Sequence, residues 1–238
     1  MAHLMQERKT VNTDTILKKL PAAEILCGGA FHKRNSGTDL KGFCMRELTP
    51  QSPLSTFRTF TAFDTETTGL GFNDDVIEIA AVRFVDFIPQ MQFSALIRPR
   101  KPIPAAASAV NHITDDMVQD APHFYELIPA VNAFFGDSVL VAHNAMFDVR
   151  MMYVNGLDSM REKSVYDTCD VSRRMDAAIA NHKLATACRA HQITIGNAHR
   201  AASDAMACGL LFVDYLLRNY GAVSIDELKK KAGEGILC

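Results

Sequence analysis

The amino-acid sequence predicts an α/β protein built on one mixed sheet flanked by helices, with an N-terminal extension before it. Three observations lead there. Strand-like runs follow one another from residue 57 to residue 97 with short connections. Strand-like and helical segments then alternate as far as residue 220. Strands first and alternation afterwards describe a sheet that is antiparallel in one part and parallel in the other, with helices on its faces. The third observation is where the pattern begins. Residues 1–56 are mildly basic, contain Gly28-Gly29 and Ser36-Gly37, and hold one amphipathic segment, Asp14 to Leu26, which Pro21 interrupts. The expected division is an extension over 1–56, a main domain over 57–221 and a C-terminal tail over 222–238. The extension either packs on the main domain, binds a partner or stays mobile, and the lysines at 229–231 are expected to be exposed.

The elements follow in order. Phe57 to Phe63, Val76 to Phe87 and Met91 to Ile97 alternate apolar and polar residues as strands do and form an antiparallel meander. Pro99, Pro102 and Pro104 end it. Short helices are expected over Ala105 to Val110 and after Thr114, whose hydroxyl is suited to cap Asp115-Asp116-Met117. His123 to Phe135 carries Leu127, Ile128, Val131, Phe134 and Phe135 at helical spacing and stops at Gly136. Ser138 to Ala142 is a buried strand, Ala145 to Asn155 a helix and Val165 to Asp167 a further strand. Val171 to Ala180, Leu184 to His191 and the long Ala201 to Tyr220 read as helices.

Bulk properties narrow the class. With 238 residues, 48% of them hydrophobic, the chain can bury a sizeable core. A formal net charge of −2 announces no general polyanion binder, although a cation-assisted site needs only a local basic rim. Arg98, Arg100 and Lys101, and more weakly Arg173, Arg174 and Lys183, either line such a path or are solvated faces. Six scattered cysteines without a Cys-x-x-Cys pair are expected to be reduced thiols. No apolar run is long enough to span a membrane and no signal-peptide pattern opens the chain, so a cytoplasmic protein is expected.

The chemistry is carried by acids. In Thr59-Phe60-Thr61-Ala62-Phe63-Asp64-Thr65-Glu66, the carboxylates of Asp64 and Glu66 are two residues apart and project from one face of a strand. Two like charges so close repel unless a cation lies between them. Thr67, Thr68 and Gly69 then supply hydroxyls and a backbone that can approach a ligand closely. Asp148 follows the buried strand and the turn His143-Asn144, in the first turn of a helix; Asp204 opens the long helix, five positions after His199. Alone, each has a plainer reading, as a solvated strand end, a helix-start acid or a loop residue. Together, four acids and a histidine suit metal-assisted phosphoryl chemistry, with oxygen ligands selecting hard cations such as Mg²⁺ or Mn²⁺ and a histidine able to take a proton near neutral pH.

Asp64-Thr65-Glu66-Thr67-Thr68-Gly69, His143-Asn144-Ala145-Met146-Phe147-Asp148 and His199-Arg200-Ala201-Ala202-Ser203-Asp204 resemble the three motifs of the DnaQ-like 3′–5′ exonucleases of the DEDDh subgroup, the superfamily of the proofreading epsilon subunit of bacterial DNA polymerase III. Val110-Asn111-His112-Ile113-Thr114 also resembles a segment of epsilon-type members. The likeness covers about residues 57 to 220. It implies a ribonuclease H-like fold on a five-stranded sheet. It implies that Asp64, Glu66 and Asp204 hold one divalent cation, that Asp64 and Asp148 hold a second, and that His199 is the general base. It further implies that Thr67, Gly69 and Leu70 meet the 3′-terminal nucleotide, with Asn144 supporting the site. Asp167 matches a family position too, and capping the next helix explains it equally well. The activity implied is hydrolysis at a single-stranded 3′ end, DNA favoured over RNA, with a DNA polymerase as a partner. An exoribonuclease is the alternative, and a catalytically silent nucleic-acid-binding module a more distant one, since all five groups are present.

Overall fold

The computed structural model describes residues 9–10, 42–196 and 199–233. Asp14 to Leu26, Cys27 and Cys238 lie outside them. Among the described residues the chain runs β1 (Lys9–Thr10), β2 (Cys44–Arg46), β3 (Thr59–Thr67), β4 (Val76–Val85), β5 (Ile88–Leu96), α1 (Ala105–Asn111), α2 (Asp115–Val118), α3 (Phe124–Phe135), β6 (Val139–Ala142), α4 (Ala145–Val154), β7 (Ser164–Asp167), α5 (Thr168–Met175), α6 (Leu184–Ala190), α7 (Ala201–Asn219) and α8 (Ile225–Gly233).

These strands form one sheet in the order β1-β5-β4-β3-β6-β7-β2. The antiparallel meander β3-β4-β5 and the parallel pair β6-β7 make its five central strands, as expected. Two short strands from the first 56 residues add one at each edge, β2 on β7 and β1 on β5, both parallel. The sheet is therefore wider than the five strands anticipated. In an edge position even two or three residues satisfy amides that would otherwise face solvent.

Register sorts the side chains of β3 to two faces. Phe60 and Ala62 join Val82, Phe84, Leu211 and Phe212 under α7, whereas Phe63 joins Ile79, Ala81, Phe135 and Val149 under α3 and α4. Phe60 stacks on Phe84 at 4.7 Å and meets the edge of Phe212 at 5.2 Å. Each such fully buried ring contributes about 1.5–3 kcal/mol. Gly209 lets α7 come down on this face: a Cβ there would sit 2.2 Å from the Phe84 ring and 3.0 Å from the Ala62 Cβ. That close approach brings the start of α7 to the end of β3.

Several boundaries differ from expectation for local reasons. Phe57 ends a 3-10 turn, Leu54–Phe57, and is fully buried against Tyr166 and Phe212 instead of starting the first strand. β3 begins at Thr59 and extends to Thr67 because β4 pairs with it throughout, so both carboxylates lie within the strand. The helix expected from Val171 to Ala180 is α5, Thr168–Met175, because Asp167 caps it early and it stops at Asp176. Thr114 makes no side-chain cap on α2; Asp115 there accepts the amide of Ile103 at 3.0 Å instead. Beyond Gly221 the chain is partly packed: α8 puts Leu228 and Ala232 into the core, and Lys231 donates to the carbonyl of Tyr220 at 2.9 Å. The four cysteines among the described residues are free thiols. No helix among the described residues is long and apolar enough to cross a membrane.

Candidate active site

Asp64 and Glu66 occupy the same face of β3 as Phe60 and Ala62, continuing that row past the apolar core toward the start of α7. Asp204, in the first turn of α7, meets them there. The ligand oxygens of Asp64, Glu66 and Asp204 all lie within 4.8 Å of one another. At that separation two unit charges repel by about 3–4 kcal/mol at an effective dielectric constant of about 20. Asp148, 3% exposed in the first turn of α4, comes in beside them. Its Oδ1 accepts both the hydroxyl and the amide of Thr65, at 2.6 and 3.0 Å, which ties α4 to the strand between the other two acids.

The electrostatics follow from burial and crowding. Loss of water, then Asp148, Glu66, Asp204 and Glu78 in that order, push Asp64 well above the usual carboxylate range. Burial, followed by Asp204, Glu78 and Asp148, raises Glu66 to about 8, with Arg200 opposing. Burial lifts Asp148 to about 7 against the two hydrogen bonds from Thr65. Asp204 is raised by burial and held back by the amide of His199. Carboxylates gathered in this way need shared protons or a cation.

His199 is exposed, in a left-handed backbone conformation at φ 59°, and its amide donates to Asp204 Oδ2 at 2.9 Å. Asp204 is thus both a member of the cluster and a tie for the histidine loop. Thr67 Oγ1 donates to the Gly69 carbonyl at 2.8 Å, and Leu70 beyond it is 77% exposed. Asn144 is brought less close: its side chain is exposed, and its amide donates to Asp167 Oδ1 at 2.9 Å. Asn111, within the Val110–Thr114 segment, donates to the Thr67 carbonyl at 3.3 Å and braces the end of β3.

The RNase_T exonuclease family profile matches residues 61–212, which span all of these groups. The chain belongs to the exonuclease family. The exonuclease domain is 41% identical over 161 residues to the DNA polymerase III subunit epsilon of Treponema pallidum, covering 64% of this chain and 74% of that protein. It is 34% identical over 186 residues to the PolC-type DNA polymerase III of Caldanaerobacter subterraneus subsp. tengcongensis, covering 76% of this chain but 13% of that polymerase. The chain thus spans most of an epsilon subunit and about an eighth of a PolC-type polymerase. Among solved structures, exonuclease X in complex with 5′ overhanging duplex DNA superposes with a TM-score of 0.57 at 26% identity, covering 73% of this chain and 99% of that one. Exonuclease I shares the fold, with a TM-score of 0.57 at 20% identity, 67% of this chain and 43% of that one.

The exonuclease family depends on divalent metal, and the donor set here fits one: three carboxylate oxygens drawn together, no thiolate or imidazole among them, and all four acids holding their protons unusually tightly. Around this set stand residues that motif reading passed over. Glu78, 2% exposed, lies directly opposite Glu66 in the β3–β4 register, a pairing of like charges that is unfavourable alone. Arg200 relieves it with two bonds, Nη2 to Oε1 at 2.9 Å and Nε to Oε2 at 3.2 Å, and the Ala201 amide adds a third at 3.1 Å. Glu78 thereby anchors the start of α7, which carries Asp204. Its signal was a lone acid inside the apolar run Val76-Ile77-Glu78-Ile79. Asp167 caps two helices at once, accepting the amides of Asn144, Ala145 and Cys169 at 2.8–2.9 Å. The basic clusters are largely committed within the fold: Arg100 pairs with Asp75, Arg173 with Asp170 and Arg174 with Glu47.

Proposed function

We propose that this chain is a metal-dependent 3′–5′ exonuclease that hydrolyses the terminal phosphodiester at a single-stranded 3′ end of DNA and releases nucleoside 5′-monophosphates. The observation that carries the reading is the convergence of Asp64, Glu66 and Asp204 within 4.8 Å at the end of the central strand, with Asp148 tied to the same strand through Thr65. Asp64, Glu66 and Asp204 would hold one divalent cation, and Asp64 with Asp148 would hold a second. Two such ions, Mg²⁺ or Mn²⁺, would supply Lewis-acid stabilisation of the attacking and leaving oxygens.

The protein's own residues supply the rest. His199, on its exposed loop, accepts the proton of the attacking water as the new P–O bond forms and the bond from phosphorus to the 3′ oxygen breaks; the departing 3′ oxygen takes a proton from solvent water, so the shortened strand leaves with a 3′ hydroxyl. Asp204 orients that loop by accepting the His199 amide. Thr67, Gly69 and Leu70 line the approach of the terminal nucleotide, Leu70 with its side chain in solvent, and Asn144 flanks the turn into α4. A DNA polymerase is the partner this reading favours, supported by likeness to an epsilon subunit and to PolC-type polymerases. A cytoplasmic location accords with a DNA substrate.

The test is digestion of matched 5′-labelled single-stranded DNA and RNA with Mg²⁺ or Mn²⁺, with a chelator arm and the His199→Ala protein alongside. A DNA ladder that shortens from the 3′ end, disappears with chelator and slows by about 10²–10⁴-fold in the variant supports the reading. A ladder confined to RNA moves the enzyme to RNA processing, and wild-type rates in the variant remove His199 from its role.

A further inference from the structure

α4 grips the loop between β3 and β4 at two points, and Arg150 makes the first of them. Its Nη2 donates to the Leu70 carbonyl at 2.7 Å. Asn155, just past the C-terminus of the helix and 4% exposed, donates to the Asp74 carbonyl at 3.2 Å. Between these anchors the loop is bound to itself: Asp74 Oδ2 accepts the Gly71 amide at 2.6 Å, and it lies so close to Gly69 that a Cβ there would meet it at 2.6 Å. The turn is therefore narrow and closed, with the Leu70 side chain 77% exposed at its tip.

The surroundings of Arg150 indicate what sets its position. Its guanidinium carbon lies 5.0 Å from the centre of the Phe72 ring and 5.5 Å from that of Phe147. Among the described residues no carboxylate pairs with it, and its Nε is buried without a hydrogen-bond partner. A buried unsatisfied N–H carries a desolvation cost, and an arginine free to move would relieve it at the surface. The cation–π contacts and the bond to Leu70 outweigh that cost. The side chain is held where the loop is, two residues after Asp148.

On the reading of the site proposed above, we infer that Arg150 is a positioning residue for the substrate's 3′ end: it locks the Leu70 loop onto α4, so that the tip that meets the terminal base and the helix that carries Asp148 move as one body. Leu70 then acts as a fixed apolar wedge between the last base and its neighbour. Without the lock the wedge must be ordered by the substrate, and that cost falls on binding.

Arg150→Met keeps the length and apolar packing and removes the donor. The measurement is steady-state kinetics on a 5′-labelled single-stranded DNA decamer and on the p-nitrophenyl ester of thymidine 5′-monophosphate, which has one base and no neighbour to separate. Expected for Arg150→Met is a rise in KM for the decamer of about five- to tenfold with kcat reduced by less than about threefold, and a far smaller loss of kcat/KM on the ester. Leu70→Ala raises the decamer KM similarly, and the double variant is no worse than either single one, because both act through one device. Equal losses on decamer and ester, an unmoved decamer KM, or full additivity in the double variant would each overturn the inference. Melting of Arg150→Met beside the wild type separates a lost lock from a lost fold. A wild type that cleaves neither substrate would instead overturn the exonuclease reading, and the inference with it.

Discussion

Two groups of acids are set against α7, and they are neutralised in opposite ways. At the start of the helix Asp204 joins Asp64 and Glu66, and the nearby Arg200 is engaged by Glu78. Along the second half, Asp176 and Asp214 hold the imidazole of His191 between them, at 2.9 and 2.6 Å. Asp176 also receives the Tyr215 hydroxyl at 2.6 Å and Arg218 at 2.7 Å. In the second group burial alone would raise Asp176, but Tyr215, Arg218 and His191 together hold it below its usual range. In the first group every acid is pushed up. Burial is common to both; cationic side-chain donors to these acids are not. The chain supplies its own cations at one end of the helix; at the other, the acids are left to shared protons or, on the proposed reading, to a divalent cation.

The strongest way to break this comparison is Asp64→Asn. Activity is expected to fall by about 10³-fold or more, because on the proposed reading Asp64, on which Asp148, Glu66 and Asp204 all bear electrostatically, helps to hold both cations. In chelator the same variant should melt above the wild type, since one of several mutually repelling carboxylates is gone. Labelled-strand digestion and thermal melting read the two effects. A variant that melts lower and still digests DNA at the wild-type rate would show that Asp64 is structural.

Asp176→Asn should behave in the reverse sense. It leaves the buried His191 with Asp214 alone and takes the carboxylate from Arg218, and the loss expected is about 3 kcal/mol, the low end for a buried pair. Arg218 is 43% exposed and regains some water, which is why the low end applies. At about 2–4 °C for each kcal/mol the melting temperature falls by about 6–12 °C. Added Mg²⁺ should not restore it. A stabilised Asp176→Asn protein would erase the contrast between the two groups.

The contrast also explains what could be read in advance. The acids of the first group stand in short, local patterns: i and i+2 on a strand, a helix-start acid after a strand, a histidine five residues before an acid. Such spacings encode direction, so the cluster and the five central strands were visible before any coordinates. The second group was not, because Asp176 and His191 cap the ends of two helices while Asp214 and Arg218 lie on a third, and no local spacing specifies how these pack. Glu78 was missed for the same reason, since its partner Arg200 is 122 residues away. The edge strands were hidden by their brevity: two or three residues carry no periodicity. α8 was hidden by its charge, six of its nine residues being Asp, Glu, Lys or Gly while only Leu228 and Ala232 are buried.

The smallest expected effect separates the two groups by pH and cation together. Glu66 is raised from about 4.5 to about 8 and Asp148 from about 3.8 to about 7 when folded. Between the ordinary and the raised values the unfolded chain has released these protons and the folded chain has not, so folding is progressively weakened as pH rises from about 5 to about 8. A divalent cation replaces the protons and should remove that slope. His191 contributes in the same direction by a different cause: hydrogen bonding to Asp214 raises it, so its stabilisation is complete below about 6.5 and fades as pH climbs through the raised value, with or without metal. Melting in chelator at pH 6 and pH 8, each repeated with saturating Mg²⁺ or Mn²⁺, divides the two. The wild type should melt lower at pH 8 than at pH 6 in chelator and recover most of that loss with the cation. In Glu66→Gln the cation-dependent part should shrink, whereas in His191→Ala it should persist on a lower baseline. A pH slope that ignores the cation would mean that the acids at the start of α7 are already balanced within the protein.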